Sequence, residues 1–93
     1  MDNKKLVSVL MSAYNSEDSI SNAIESIVNQ EYSEIELLIM DDGSSDNTTE
    51  ICKDFSQKFN NIRLFKNEKN LGLTKSLNLL LKHSNGEIIA RQD

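Results

Sequence analysis

Glu36-Leu37-Leu38-Ile39-Met40-Asp41-Asp42-Gly43-Ser44-Ser45-Asp46 is the stretch on which the fold turns. Four apolar residues in succession, from Leu37 to Met40, are too short a run for a helix and read as a strand covered on both faces. The run stops abruptly at two acids, a glycine and two serines, the residues that a strand-to-helix turn favours. Downstream, Ile51, Cys52, Phe55 and Phe59 mark one face of a helix, capped by some member of Ser45, Asp46 and Asn47.

Upstream of that strand the same alternation is already present. Leu6 to Ala13 is a compact apolar run rich in strand formers. After Tyr14 and Asn15 the period changes, and Ile20, Ala23, Ile24, Ile27 and Val28 fall at helical spacing, with Ser16, Glu17 and Asp18 as cap and first-turn residues. On the downstream side Ile62 to Phe65 reads as a short third strand. Leu73, Leu77, Leu80 and Leu81 form the buried stripe of a third helix, Gly86 ends it, and Glu87 to Arg91 begins a fourth strand. Strand and helix thus alternate three times, with crossovers long enough for parallel βαβ units, so the expected class is α/β with helices on the sheet faces.

Ninety-three residues suffice for one small domain, and no proline, linker composition, low-complexity tract or internal repeat suggests a boundary within it. No apolar run approaches the roughly 20 residues that cross a bilayer, so the chain is expected to be soluble. A net charge of −5, with dispersed Lys and Arg, lacks the basic footprint that nucleic acid requires as a partner. The first residues do not read as a secretory signal, and a cytoplasmic location is expected. Cys52 is the sole cysteine and reads as a core residue.

Ligands of open parallel sheets bind beyond the carboxyl ends of the strands, near the point where strand order reverses. The residues placed there are Ser12, Ala13, Tyr14, Asn15 and Glu17, then Asp41 and Asp42, then Asn67 to Gly72, and finally Gln92 and Asp93. No glycine lies between Ser12 and Ser19, which excludes the dinucleotide-binding turn, and no P-loop pattern occurs anywhere. Acids gathered at one edge without an amide cradle would repel a diphosphate unless a divalent cation, Mg2+ or Mn2+, lay between them. Asp42 suits a hydrogen bond from a base N–H, and Tyr14 suits stacking on that base.

Val7-Ser8-Val9 running into Ser12-Ala13-Tyr14-Asn15, then Gln30, then Asp41 to Thr48, Asn67, Asn70-Leu71-Gly72-Leu73, Asn78 and Gly86-Glu87 together resemble family 2 glycosyltransferases. The resemblance spans nearly the whole chain. It implies a Rossmann-like GT-A fold whose first four parallel strands lie in the order 3-2-1-4 with three helices on the faces. It also implies transfer of a sugar from a nucleotide-sugar donor, a UDP-sugar first, to a glycan or lipid-linked acceptor with inversion.

By that resemblance Ser12, Ala13, Tyr14, Glu17, Asp41, Asp42, Gly72 and Lys75 are the expected nucleotide-binding residues, and Asp93 the first acid of a metal-binding Asp-x-Asp motif. Two departures stand out. Ser12-Ala13 replaces the family's usual Pro-Thr or Pro-Ser, and Ser76-Leu77-Asn78 replaces Ala-Arg-Asn, leaving Lys75 in place of a phosphate-side arginine. Because the chain stops at Asp93, the acceptor site and the catalytic carboxylate are expected beyond it, and this stretch is not expected to catalyse transfer alone. In a complete GT-A sheet the fourth strand has another neighbour, so the stretch alone is expected to offer an unpaired edge to a second copy, as an artefact of the cut and not a function. Bacterial surface polysaccharide assembly, at the inner face of the membrane, is the setting the resemblance suggests.

Plainer readings stand beside these. Asp-Gly-Ser is also what an ordinary turn uses, Glu17 is a natural first-turn partner of a helix dipole, and Asn70 and Gly72 suit a cap and a turn. The rival function is a non-catalytic α/β module that binds a nucleotide or a protein.

Overall fold

The computed structural model describes residues 4–92. Four parallel strands, β1 (Val7–Ala13), β2 (Ile35–Asp42), β3 (Ile62–Asn67) and β4 (Ile88–Gln92), form one sheet in the order β3-β2-β1-β4. Three helices, α1 (Ile20–Val28), α2 (Thr48–Lys58) and α3 (Leu73–His83), make the crossovers. The expected class and strand order are both observed.

Side chains alternate across a strand, so the central strands feed two cores. Val9, Met11 and Ala13 of β1, with Ile35, Leu37 and Ile39 of β2, pack under α1 and α2 against Ile20, Ile24, Ile27 and Cys52. Leu10, Leu38 and Met40 face the other way and meet Leu77 and Leu80 of α3. Cys52 is fully buried as expected, and burial, with the Asp41 carboxylate nearby, pushes its thiol pKa up to about 12. With α1 and α2 on one face and α3 on the other, strand order reverses between β1 and β4, which locates the ligand crevice of such sheets.

Several boundaries differ from the sequence expectation. Helix α1 starts at Ile20 with Ser19 as its N-cap, because Ser16 to Ser19 form a separate turn in which the Ser16 carbonyl accepts the N–H groups of Ser19 and Ile20. In α3 the inward residues are Ser76, Leu77 and Leu80, whereas Leu73 and Leu81 are 48% and 47% exposed. Phe59, at the end of α2, stays partly in solvent and stacks on Phe55. Helix α3 ends at His83, not at Gly86.

Gly86 has another task, at the amino end of the sheet. A Cβ there would lie 2.5 Å from Ser8 Oγ, and the Gly86 N–H donates to that oxygen at 2.8 Å. Ser8 in turn donates to Glu36 Oε2 at 2.5 Å, which also accepts the Asn85 N–H at 2.6 Å, while Arg63 pairs with Oε1 at 3.6 Å. This cluster, built on buried Ser8 and Glu36, joins β1, β2, β3 and the α3–β4 connection, and leaves the opposite end of the sheet for a site.

Candidate functional site

Alternation along a strand also separates the two acids that end β2. Asp41 turns to the α2 side and is fully buried. Its Oδ1 accepts the Ser44 N–H at 3.0 Å and its Oδ2 accepts the Thr49 hydroxyl. Asp41 therefore closes the turn into α2. Strand geometry carries the carboxylate of this expected nucleotide-binding residue into the protein.

Asp42 turns to the α3 side and is 2% exposed. Oδ1 accepts Asn67 Nδ2 and the Leu71 N–H, both at 2.8 Å. Oδ2 accepts the Gly72 N–H at 2.9 Å and Asn70 Nδ2 at 3.1 Å. A carboxylate presents about four lone-pair positions, so each has a donor. Burial by itself would raise this carboxyl, but the bonds from Leu71, Asn67, Gly72 and Ser76 outweigh it and hold the pKa below the ordinary aspartate value. The loop from Asn67 to Gly72 is thus wrapped around one anion. Gly43 brings the neighbouring turn against it, since a Cβ at this φ +76° position would lie 2.6 Å from the Lys69 carbonyl carbon.

A second set of bonds ties the β1–α1 loop to the β2–α2 turn. Asn15 donates its N–H to Ser44 Oγ at 3.0 Å, and its Oδ1 accepts the Ser45 N–H at 2.8 Å. The Ser16 N–H reaches Thr48 Oγ1 at 2.7 Å, and the Glu17 N–H reaches Asp46 Oδ2 at 3.2 Å. Glu17 Oε1 accepts the Asn47 N–H at 3.3 Å, so this acid helps to hold the turn. Asp46 also accepts the Thr48 N–H at the start of α2, at 2.9 Å.

Between the carboxyl ends of β1 and β4 lies a crevice of about 240 Å3, floored by Met11, Ile20 and Ala23 and edged by Ser12, Ser16, Ser19 and Gln92. Ala13 is buried in β1. Tyr14 follows it, 49% exposed, at the tip of the loop. Of the expected residues, then, Ser12 edges the crevice, Tyr14 is exposed in the loop after β1, and Asp42 and Gly72 are bonded to each other. Lys75 is exposed on the outer side of α3, beside Leu71, Asn78, Leu79 and Lys82.

The picture of unpaired acids crowding the rim is corrected. Asp41 and Asp42 point inward and are compensated by N–H and O–H donors, and among the described residues no group of three or more His, Cys, Asp or Glu side chains could hold a metal ion. These residues do not by themselves fit a divalent cation. Asp93, the expected ligand, lies outside the described residues. The groups with unforeseen roles are Asn15, Asn67 and Thr49, each bonding across to another loop or strand end. Asn15 alone carried a local signal, since asparagine is among the few residues that tolerate its φ of +46°.

The model of the family described as glycosyl transferase family 2 matches residues 8–93. A Bacillus subtilis (strain 168) protein with a provisional name, glycosyltransferase EpsE, is 42% identical over 100% of this chain and 34% of its own length. The Escherichia coli UDP-Glc:alpha-D-GlcNAc-diphosphoundecaprenol beta-1,3-glucosyltransferase WfgD is 42% identical over 95% of this chain and 34% of its own. The chain therefore spans about a third of the length of these relatives. Among solved structures, S. aureus TarS in complex with UDP superposes with a TM-score of 0.86 at 32% identity, covering 95% of this chain and 27% of that one. A Pyrobaculum calidifontis mannosyltransferase, solved with GDP-Man and Mn2+, shares the fold with a TM-score of 0.85 at 24% identity, covering 92% of this chain and 26% of that one.

Proposed function

Since this chain belongs to glycosyl transferase family 2, we propose that its carboxyl-edge rim receives the nucleotide of a sugar-nucleotide donor, a UDP-sugar first, for transfer to a glycan or lipid-linked acceptor. The observation that carries the reading is the crevice at the point of strand reversal, edged by Ser12 and Gln92, with Tyr14 exposed in the loop that follows Ser12 and Ala13. Ser12 and the backbone of Ala13 supply polar groups to the nucleoside, and the Tyr14 ring stacks on the base. Asp42, on the α3 side of the sheet, is the acceptor offered to the base. Asn70 holds its Oδ2 by the longest of the four bonds to the carboxylate, 3.1 Å, and is the donor that a base N–H would displace. A uracil edge, an N–H between two carbonyls, suits an acceptor carboxylate flanked by amide donors.

Calorimetric titration of the chain with UDP, with and without Mn2+, tests this reading. Loss of one stacked aromatic costs about 1–3 kcal/mol per base, so Tyr14→Ala should weaken binding roughly tenfold or more. Absence of UDP binding in the unmodified chain would overturn the donor-site reading. Affinity that rises with Mn2+ would support the expected cation, and affinity indifferent to Mn2+ would count against it.

For these 93 residues taken alone we also propose self-association through β4, apart from any function of the protein. Among the described residues β4 is an outer strand, and Ile88 and Ile89 are 47% and 40% exposed on its opposite faces. Exposed strand edges with apolar side chains template pairing with another chain. Light scattering should show a mass that rises with concentration; a constant monomer mass would sink this part.

A further inference from the structure

We propose that Asn15 is a positioning residue for the donor site: it clips the β1–α1 loop to the β2–α2 turn and so fixes where the Tyr14 ring stands. The inference rests on the reading of the rim as a nucleotide site, and it assigns the order of that rim to a residue that itself need touch no ligand.

Tyr14 is 49% exposed, so little packing holds its ring in place. What holds it is the residue that follows. Asn15 sits at φ +46°, in the left-handed region that asparagine tolerates and most side-chain-bearing residues resist. In that conformation its main chain and side chain grip the same target, with the N–H donating to Ser44 Oγ at 3.0 Å and Oδ1 accepting the Ser45 N–H at 2.8 Å and the Ser45 hydroxyl at 3.4 Å. On the far side of the same peptide, Ser16 Oγ donates to the Tyr14 carbonyl at 3.0 Å. Both edges of the Tyr14–Asn15 peptide are therefore held, and the following peptide is held by the Ser16 N–H, which donates to Thr48 Oγ1 at 2.7 Å. Ser44 is itself fixed by its N–H bond to buried Asp41, so the clip is anchored in the end of β2.

Only a residue with both a side-chain acceptor and tolerance of positive φ can do this. Asn15→Ala removes both properties, while Asn15→Asp keeps both. A second variant, Asn15→Gly, keeps the backbone freedom and loses the acceptor.

The test uses the whole chain and two readouts. Backbone 15N relaxation should show the Tyr14 to Glu17 amides ordered in the unmodified chain, mobile in Asn15→Ala and Asn15→Gly, and ordered again in Asn15→Asp, with the amides of β1 and β2 unchanged in all. Calorimetry should show UDP affinity falling about tenfold in Asn15→Ala, the size expected for losing one hydrogen bond that preorganises a site. Tyr14 to Glu17 amides that stay ordered in Asn15→Ala would overturn the clip whatever the titration gives. A mobile loop with unchanged UDP affinity would overturn its role in binding. No UDP binding by the unmodified chain would instead strike the donor-site reading, and the relaxation result would still decide whether Asn15 orders the loop.

Discussion

At the scale of single residues, Asp41 and Asp42 show how two identical neighbours acquire different work. One carboxylate closes a turn and the other gathers a loop, because the pleat of β2 sends them to opposite sides of the sheet. The Asp42 carboxyl titrates below its unfolded value, as does that of Glu36, where burial is likewise outweighed by bonds from Ser8 and Asn85 and by Arg63. Their stabilisation is therefore complete above the unfolded carboxylate range, about pH 4, and is lost as pH falls through the folded values. Asp42→Asn replaces an acceptor with a donor facing N–H groups, and should cost about 1–3 kcal/mol at pH 7. Urea unfolding at pH 7 and at pH 3.5 checks this: the variant should lose less on acidification than the unmodified chain, and equal losses would mean that Asp42 contributes nothing to the acid limb.

At the scale of elements, α3 marks the boundary between what periodicity reveals and what it leaves unseen. Leu77 and Leu80 were legible as core from spacing alone, and so was the helix itself. Leu73 and Leu81 look equally apolar, yet they stand on the flanks of the buried stripe, and Leu81 walls a shallow cleft with Leu10 and Ile89. Ser76 takes an inward place because Asn67 donates to its hydroxyl at 3.1 Å, and a partner brought from another strand leaves no trace in the helix's own sequence. Leu80→Ala should destabilise by about 2–5 kcal/mol, against no more than about 0.5 kcal/mol for Leu81→Ala. Chemical denaturation of the two variants measures the difference, and similar costs would mean that the helix is rotated from the phase described.

At the scale of the whole molecule, β1 and β2 serve both cores, so neither layer should persist without the other. Far-UV circular dichroism and tyrosine fluorescence should follow one coincident urea transition; separated midpoints would show that the layers unfold independently. The α/β class was readable in the sequence because apolar runs alternate with helical spacing along the chain. The rim was readable only as a set of residue types at strand ends. Which of those groups face a ligand and which face one another depends on bonds between segments about 30 positions apart, such as Asn15 with Ser45 and Asp42 with Gly72. Gly86 has a consequence for anyone who rebuilds this protein. With Ser8 Oγ 2.5 Å from any Cβ placed there, position 86 has no room for a side chain, and a change that shifts its backbone would break the bond to Ser8. Engineered openings belong instead in the exposed stretch at residues 29–34, where the backbone lies on the surface and lengthening costs little.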